Sequence, residues 1–417
     1  SLPQFHLTMP GSDLSGRYEM ALNAFADSCP GQISTRLSGY TCVADLQPFL
    51  SAVPTNLRRK LPSDRLNLAL AFDGNMQQAS IRQLQLSLPG KLSLSANGRV
   101  ASLLQPDRLS ANLHIKAKAH NLAFVQPFLP LSVRKTVHLP RNIGLSGNIT
   151  ANGPHYAADL VATEGGGTLY VKAHFNRQSM AYTLTAKAKQ LHLEHFLPRQ
   201  GLHPFTGTVA TSGQGTDFLS PKTGIRFKAN IRRFQYQSYA LDHIRGEVSL
   251  RQGHIDAHLL SNNRMIGGNI RVSGRISNRL VDVVVNGHIT RADLKTLAKL
   301  DKRWTLSTDA NLHVRSNLKD YYAANGRLSA VDLREQYRHS TVQLLAGNFS
   351  VDGAMHGKAV NAHVAGLLAN ANLQELAGID RAYRLSTTAD VTLQGQLADK
   401  RYAVEGHVGD LKLTDDE

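Results

Sequence analysis

Apolar and polar residues alternate along most of this chain with period two, the repeat of a strand and not the 3.6 of a helix. Around Pro89-Gly90 the apolar positions are Leu84, Leu86 and Leu88 before the turn and Leu92, Leu94 and Ala96 after it; Gln83, Gln85, Ser87, Lys91, Ser93, Ser95 and Asn97 fill the gaps. Successive strand side chains point to opposite sides, so the pattern predicts a hairpin with one apolar and one polar face. Leu169, Val171, Ala173 and Phe175 lead through the turn-like NRQS into Tyr182, Leu184, Ala186 and Ala188. Val248 and Leu250 turn at Gln252-Gly253 into Ile255, Ala257 and Leu259. Ile266, Ile270 and Val272 follow Asn262-Asn263, and Val281, Val283 and Val285 make a further strand. Helical spacing is confined to two short stretches, Tyr18 to Ser28 and Arg291 to Lys299, the second with Asp293 and a Leu294/Leu297 spacing. The expected fold is all-β and antiparallel, in meandering hairpins.

A short motif recurs at strand ends: an apolar residue, two variable residues and another apolar residue. It occurs at Leu46/Phe49, Val125/Phe128, Leu193/Phe196, Leu294/Leu297 and Leu373/Leu376, at successive separations of 79, 68, 101 and 79 residues. A longer match supports it. The segment from Trp304 aligns with that from Tyr383, so that Leu306, Ser307, Thr308, Ala310 and Leu318 coincide with Leu385, Ser386, Thr387, Ala389 and Leu397 at an offset of 79. The whole chain, 1–417, therefore reads as one continuous repetitive segment, with approximate units 1–54, 55–130, 131–200, 201–300, 301–379 and 380–417. No unit supplies a second apolar layer of its own, yet the apolar sheet face must be covered. An elongated sheet curled into a U-shaped groove satisfies that requirement, and so does a row of closed β-sandwiches; the absence of Pro/Ser-rich linkers favours the groove.

Charge adds a constraint on partners. Lysine and arginine number 47 against 31 acidic residues in 417, a formal net charge of +16, which suits anionic lipid, acidic polymer or nucleic acid. Nucleic-acid surfaces usually interleave aromatics with basic residues, and only 6% of the chain is aromatic, so no nucleic-acid partner is expected. The K-A-K pairs Lys116/Lys118 and Lys187/Lys189 suit solvated strand faces or contact with anionic lipid. The longest apolar run, Leu68 to Phe72, falls far short of the ~18 residues of a membrane helix. The opening SLPQFHLTMPGSD lacks a start Met and the order of a signal peptide, so a processed or excised piece with any anchor upstream is expected. Cys29 and Cys42 either close a short loop by a disulfide or remain spectator thiols.

Catalytic patterns are missing. There is no G-x-S-x-G elbow, Walker loop or H-E-x-x-H string, and Gly165-Gly166-Gly167 reads as a tight turn. The closest histidines, His192/His195, His254/His258 and His114/His120, do not show the Cys/His pairing of a zinc site, so no metal, cofactor or enzymatic activity is expected.

One-sided hairpins in loose repeats ending in a D/N-L-x-x-L/F turn resemble the AsmA-like superfamily, its periplasmic TamB type most of all. The strings LSGNITANG, LTAKAKQLHLEHFLP, FTGTVATSGQGTDFLSP, VVVNGHITRADLKTLAK and VAGLLANANLQELAG carry the likeness over nearly the whole chain. The resemblance implies a groove known as a β-taco, in the periplasm of a Gram-negative bacterium, anchored in the inner membrane by a segment outside this chain. It implies phospholipid or another acyl lipid as cargo between inner and outer membranes, or else a scaffold for outer-membrane protein assembly and secretion with an Omp85-type partner. The groove residues expected on this reading are Leu84, Leu86, Leu88, Leu92, Leu94, Leu169, Val171, Phe175, Val248, Leu250, Ile255, Ile266, Ile270, Val281, Val283 and Val285.

Overall fold

Hairpin follows hairpin in the computed structural model, which is 72% strand and 5% helix. It describes the chain apart from residues 1, 25, 27–28, 43–44, 46–63, 76, 103–104, 106, 129–136, 216–223, 278, 397–400 and 416–417. Two units divide the chain: 1–212 with 234–237, and 213–233 with 238–417.

The first unit begins with β1 (Leu2–Met9), β2 (Ser12–Met20), β3 (Ile33–Thr41), β4 (Leu66–Gly74), β5 (Gln78–Leu88) and β6 (Leu92–Ala101). It continues with β7 (Ser110–Ala119), β8 (Ile143–Asn152), β9 (His155–Glu164), β10 (Gly167–Asn176) and β11 (Ala181–His192). Each pairs antiparallel with the next in sequence. A strand β12 (Pro204–Gln214) follows.

The second unit contains β13 (Gly224–Arg233), the two-residue strand β15 (Tyr239–Ala240) and a second meander, while the two-residue strand β14 (Gln235–Tyr236) between β13 and β15 belongs to the first unit. That meander runs β16 (Ile244–Arg251), β17 (His254–Asn262), β18 (Ile266–Ile276), β19 (Val281–Asp293) and β20 (Trp304–Ser316). Its longer strands are β21 (Tyr321–Gln336), β22 (Thr341–His356), β23 (Ala359–Asn372), β24 (Tyr383–Gln396) and β25 (Arg401–Asp415). Pairing is again between successive strands, beginning with β13 against β16. Neither ladder closes: among the described residues β1 pairs only with β2, and β25 only with β24.

The turns follow their local chemistry. Gly165 and Gly166 take φ of 52° and 87°, the positive values a two-residue hairpin of type I′ demands. At NRQS the Asn176 side chain accepts hydrogen bonds from the backbone of Gln178 and Ser179, both 2.9 Å. Three single-turn helices occupy the recurring motif: α1 (Leu193–Phe196), α2 (Leu294–Leu297) and α3 (Leu373–Ala377). A 3-10 turn spans Ala123–Phe128, and Leu46/Phe49 lies outside the described residues.

The offset of 79 carries structural detail. Asp293 caps α2 and Asn372 caps α3, each accepting from the backbone N–H three residues on. Thr308 and Thr387 are both buried, and each donates its hydroxyl across a bulge to the next strand, to Ser329 O at 3.0 Å and Gly409 O at 2.6 Å.

Two helical expectations give way to strand pairing. Tyr18 and Met20 lie in β2 opposite Thr35 and Ile33, so no helix begins at Tyr18. From Arg291 to Lys299 only Leu294–Leu297 is helical, because the ladder with β20 holds Ala292 and Asp293 in β19. Cys29 is exposed, Cys42 is half-buried and both are free, so the disulfide is not formed. Cys29 sits in the loop between β2 and β3 while Cys42 follows the end of β3 and packs toward Gly11.

The core is thin. Half of the described buried apolar residues are alanines, such as Ala79, Ala119, Ala188 and Ala371, and Leu344 is the largest side chain that is fully buried. The chain exposes 26279 Å², against ~16,000 Å² for a compact monomer of 45.5 kDa.

Candidate functional site: the apolar face of each meander

Directly paired residues share a face, so the registers assign the expected groove residues without ambiguity. In the first unit one row crosses eleven strands: Leu7, Leu14, Gly39, Leu68, Leu86, Leu94, Ala117, Leu145, Ala162, Leu169 and Ala188. The neighbouring row on the same face includes Leu37, Leu70, Leu84, Ala96, Ile115, Leu160 and Val171. No polar side chain interrupts either. Leu88 and Leu92 face each other near the hairpin tip, and Phe175, paired with Tyr156 and Tyr182, closes the far side.

The second unit repeats the arrangement. Phe227, Val248, Ala257, Val272, Val285, Leu312, Gly326, Val351, Val364, Val391 and Gly406 form an unbroken row over eleven strands. Leu250, Ile255 and Val283 lie in the next row; Ile270 pairs with Leu259 and Gly287, Ile266 with Ala292, and Val281 with Ile276. All eight residues expected in this unit therefore share one face, as do the eight of the first unit.

Most of these side chains are half-buried. Phe175 is exposed at 37%, whereas Val283 is buried at 6%. Residues one step along the same strands face the other way. The row through Gln85 reads His6, Ser15, Ser38, Ala69, Gln85, Ser95, Lys116, Ser146, Val161, Tyr170 and Lys187, so the lysines of the K-A-K pairs stand on the polar face. A concavity of 1260 Å³ in the first unit is lined by His6, Arg17, Arg36, Arg82 and Gln83 together with Phe5, Leu37 and Leu70. Arg82 pairs with Asp73 at 2.8 Å, and Arg17 pairs with Glu19.

Histidines on the polar face are partnered across strands. His288 meets Asp309 and His313 meets Asp282, each at 2.5 Å, and His363 meets Asp390 at 2.7 Å. The bond from His313 holds the Asp282 carboxyl below its ordinary range. Beside Glu375, by contrast, the Tyr337 phenol is pushed up to about 12.

Glycine shapes the apolar face where backbones come close. Gly147 takes φ of 147° and Gly326 150°, and a Cβ on either would stand 2.0 Å from a carbonyl oxygen of the neighbouring strand. That region is essentially restricted to glycine, and such kinks are how a sheet is made to curve.

No protein-family model, curated protein or solved structure matches the chain. No helix among the described residues is long and apolar enough to cross a membrane.

Proposed function

We propose that the apolar faces bind the acyl tails of phospholipid, and that the chain acts as a groove-shaped lipid conduit of the periplasm between inner and outer membranes. The observation that carries this reading is the unbroken apolar row over eleven strands in each unit, on a sheet that does not close on itself. A free acyl tail costs ~0.8 kcal/mol per CH₂ in water, so a sixteen-carbon tail costs roughly 12 kcal/mol. Continuous apolar contact lowers that barrier without selecting one lipid. The glycine kinks support curvature toward a U-shaped groove, and the basic polar face suits work beside anionic membranes.

A photocrosslinking residue placed in cells at Leu86, Val171 and Val285 tests the proposal. Val285 is preferred to Val283, which is too buried to reach a ligand. Phospholipid adducts at these sites are expected. Adducts to protein alone at all three would instead favour a scaffold for outer-membrane protein assembly.

A further inference from the structure

At one end of the first unit, one step beyond the row through Ala162 and Leu169 on β9 and β10, four side chains with metal-binding chemistry converge. Antiparallel pairing of β10 with β11 returns the end of β11 to the β9–β10 hairpin tip, which brings Glu164 beside the turn α1 that carries His192, Glu194 and His195. One donor atom from each of His192, Glu194 and His195 lies within 4.8 Å of the others. The two imidazoles stack with centroids 4.9 Å apart and planes 10° from parallel. Glu164 accepts from His195 Nδ1 at 2.5 Å, and His192 Nδ1 lies 2.9 Å from Glu194 Oε1.

Two features set this turn apart. Glu164 is 95% buried, and its second oxygen, like that of Glu194, is buried with no hydrogen-bond partner. A buried carboxylate oxygen left in that state is costly unless a cation or proton meets it. The sister turns give the second argument. Where α2 and α3 place the capping residues Asp293 and Asn372, this turn has His192, which makes no side-chain cap. An imidazole among carboxylates at this position thus departs from the capped turns α2 and α3.

We propose that His192, Glu194 and His195 bind one divalent transition-metal ion of the zinc type, with Glu164 as the positioning residue. The Glu164 bond to Nδ1 fixes the His195 tautomer and frees Nε2 for the metal, the usual carboxylate–histidine–metal relay. Imidazole with carboxylate suits zinc and its neighbours over calcium or magnesium. Zinc holds such ligands at ~2.0–2.2 Å, which requires donor separations of about 3.4 Å and a closing movement of roughly 1 Å. The ion would staple α1 to the β9–β10 hairpin.

The test uses the whole 417-residue chain, stripped with chelator and titrated calorimetrically with zinc, with elemental analysis after gel filtration. About one zinc per chain is expected. His192→Asn installs the cap of the sister turns, so it should melt no lower than the metal-free parent while binding zinc roughly 100-fold more weakly. Glu164→Gln should weaken binding about 10- to 100-fold. His258→Asn, on β17, should change nothing. Failure of the intact chain to bind zinc stoichiometrically overturns the proposal, as does parental affinity in a His192→Asn/His195→Ala double variant.

Discussion

Leu86 and Leu94 face each other across β5 and β6, with Leu68 and Ala117 on either side in the same row. An acyl tail lying along that row must touch both. Replacing both by glutamate sets two carboxylates against the tail. At the centre of an apolar phase an acidic side chain costs ~2.5–3.5 kcal/mol. Leu86 and Leu94 are only half-buried, so a glutamate there can tilt toward water, and roughly half that cost applies per site. The pair should then weaken tail binding by ~3 kcal/mol, or roughly 150-fold. The matched control is Gln85→Glu with Ser95→Glu, directly paired residues on the same two strands but on the opposite face. Titration of purified chain with a phospholipid bearing an environment-sensitive fluorophore on its tail measures both. Unchanged affinity in the leucine pair, or equal loss in the control pair, with sheet content intact by circular dichroism, refutes the reasoning.

Other expectations follow from single contacts. Gly147→Ala forces a side chain into the glycine-only region and against Asp159 O, and should destabilise the first unit by ~1–3 kcal/mol in urea, whereas Gly224→Ala, with open space around it, should be neutral. Thr387→Val removes the hydroxyl that donates to Gly409 O and should cost about 1–2 kcal/mol, with Thr308→Val similar at the equivalent bulge; a neutral result at both would dissolve the structural equivalence of the two repeats. Tyr337 donates to Glu375, and its pKa in the folded chain is raised to about 12 from an ordinary 10.0. The stability it adds is thus full below pH ~10 and lost as pH rises through about 12. Ultraviolet titration should show one late phenol that disappears in Tyr337→Phe, and its persistence there would assign the late phenol to another residue.

Period-two alternation made the strands and their faces legible because antiparallel pairing preserves the parity of each residue. Once Leu84, Leu86 and Leu88 define a face, the register carries it to Leu169 and Val171, five pairings away. Short helices were less legible, since one turn has too few residues to show a period: Tyr18 and Met20 fit helical spacing yet are held in β2 by Thr35 and Ile33. The two thiols were ambiguous because spacing of thirteen says nothing about which strand end each occupies. The cluster at α1 escaped the sequence for a different reason. His192 and His195 were visible as a pair three apart, but Glu164 joins them only through the fold-back of β10 on β11, and its burial has no sequence signature. The missing N-cap was the readable sign: aligned against Asp293 and Asn372, His192 is the residue that departs from the pattern.

The most direct measurement of the lipid-conduit account is an experimental structure of the chain reconstituted with phospholipid. The account predicts elongated acyl density along the row through Leu68, Leu86 and Leu94, in contact with apolar side chains only. A closed second layer packed on that face, or lipid confined to the polar side near Arg17, Arg36 and Arg82, would contradict it.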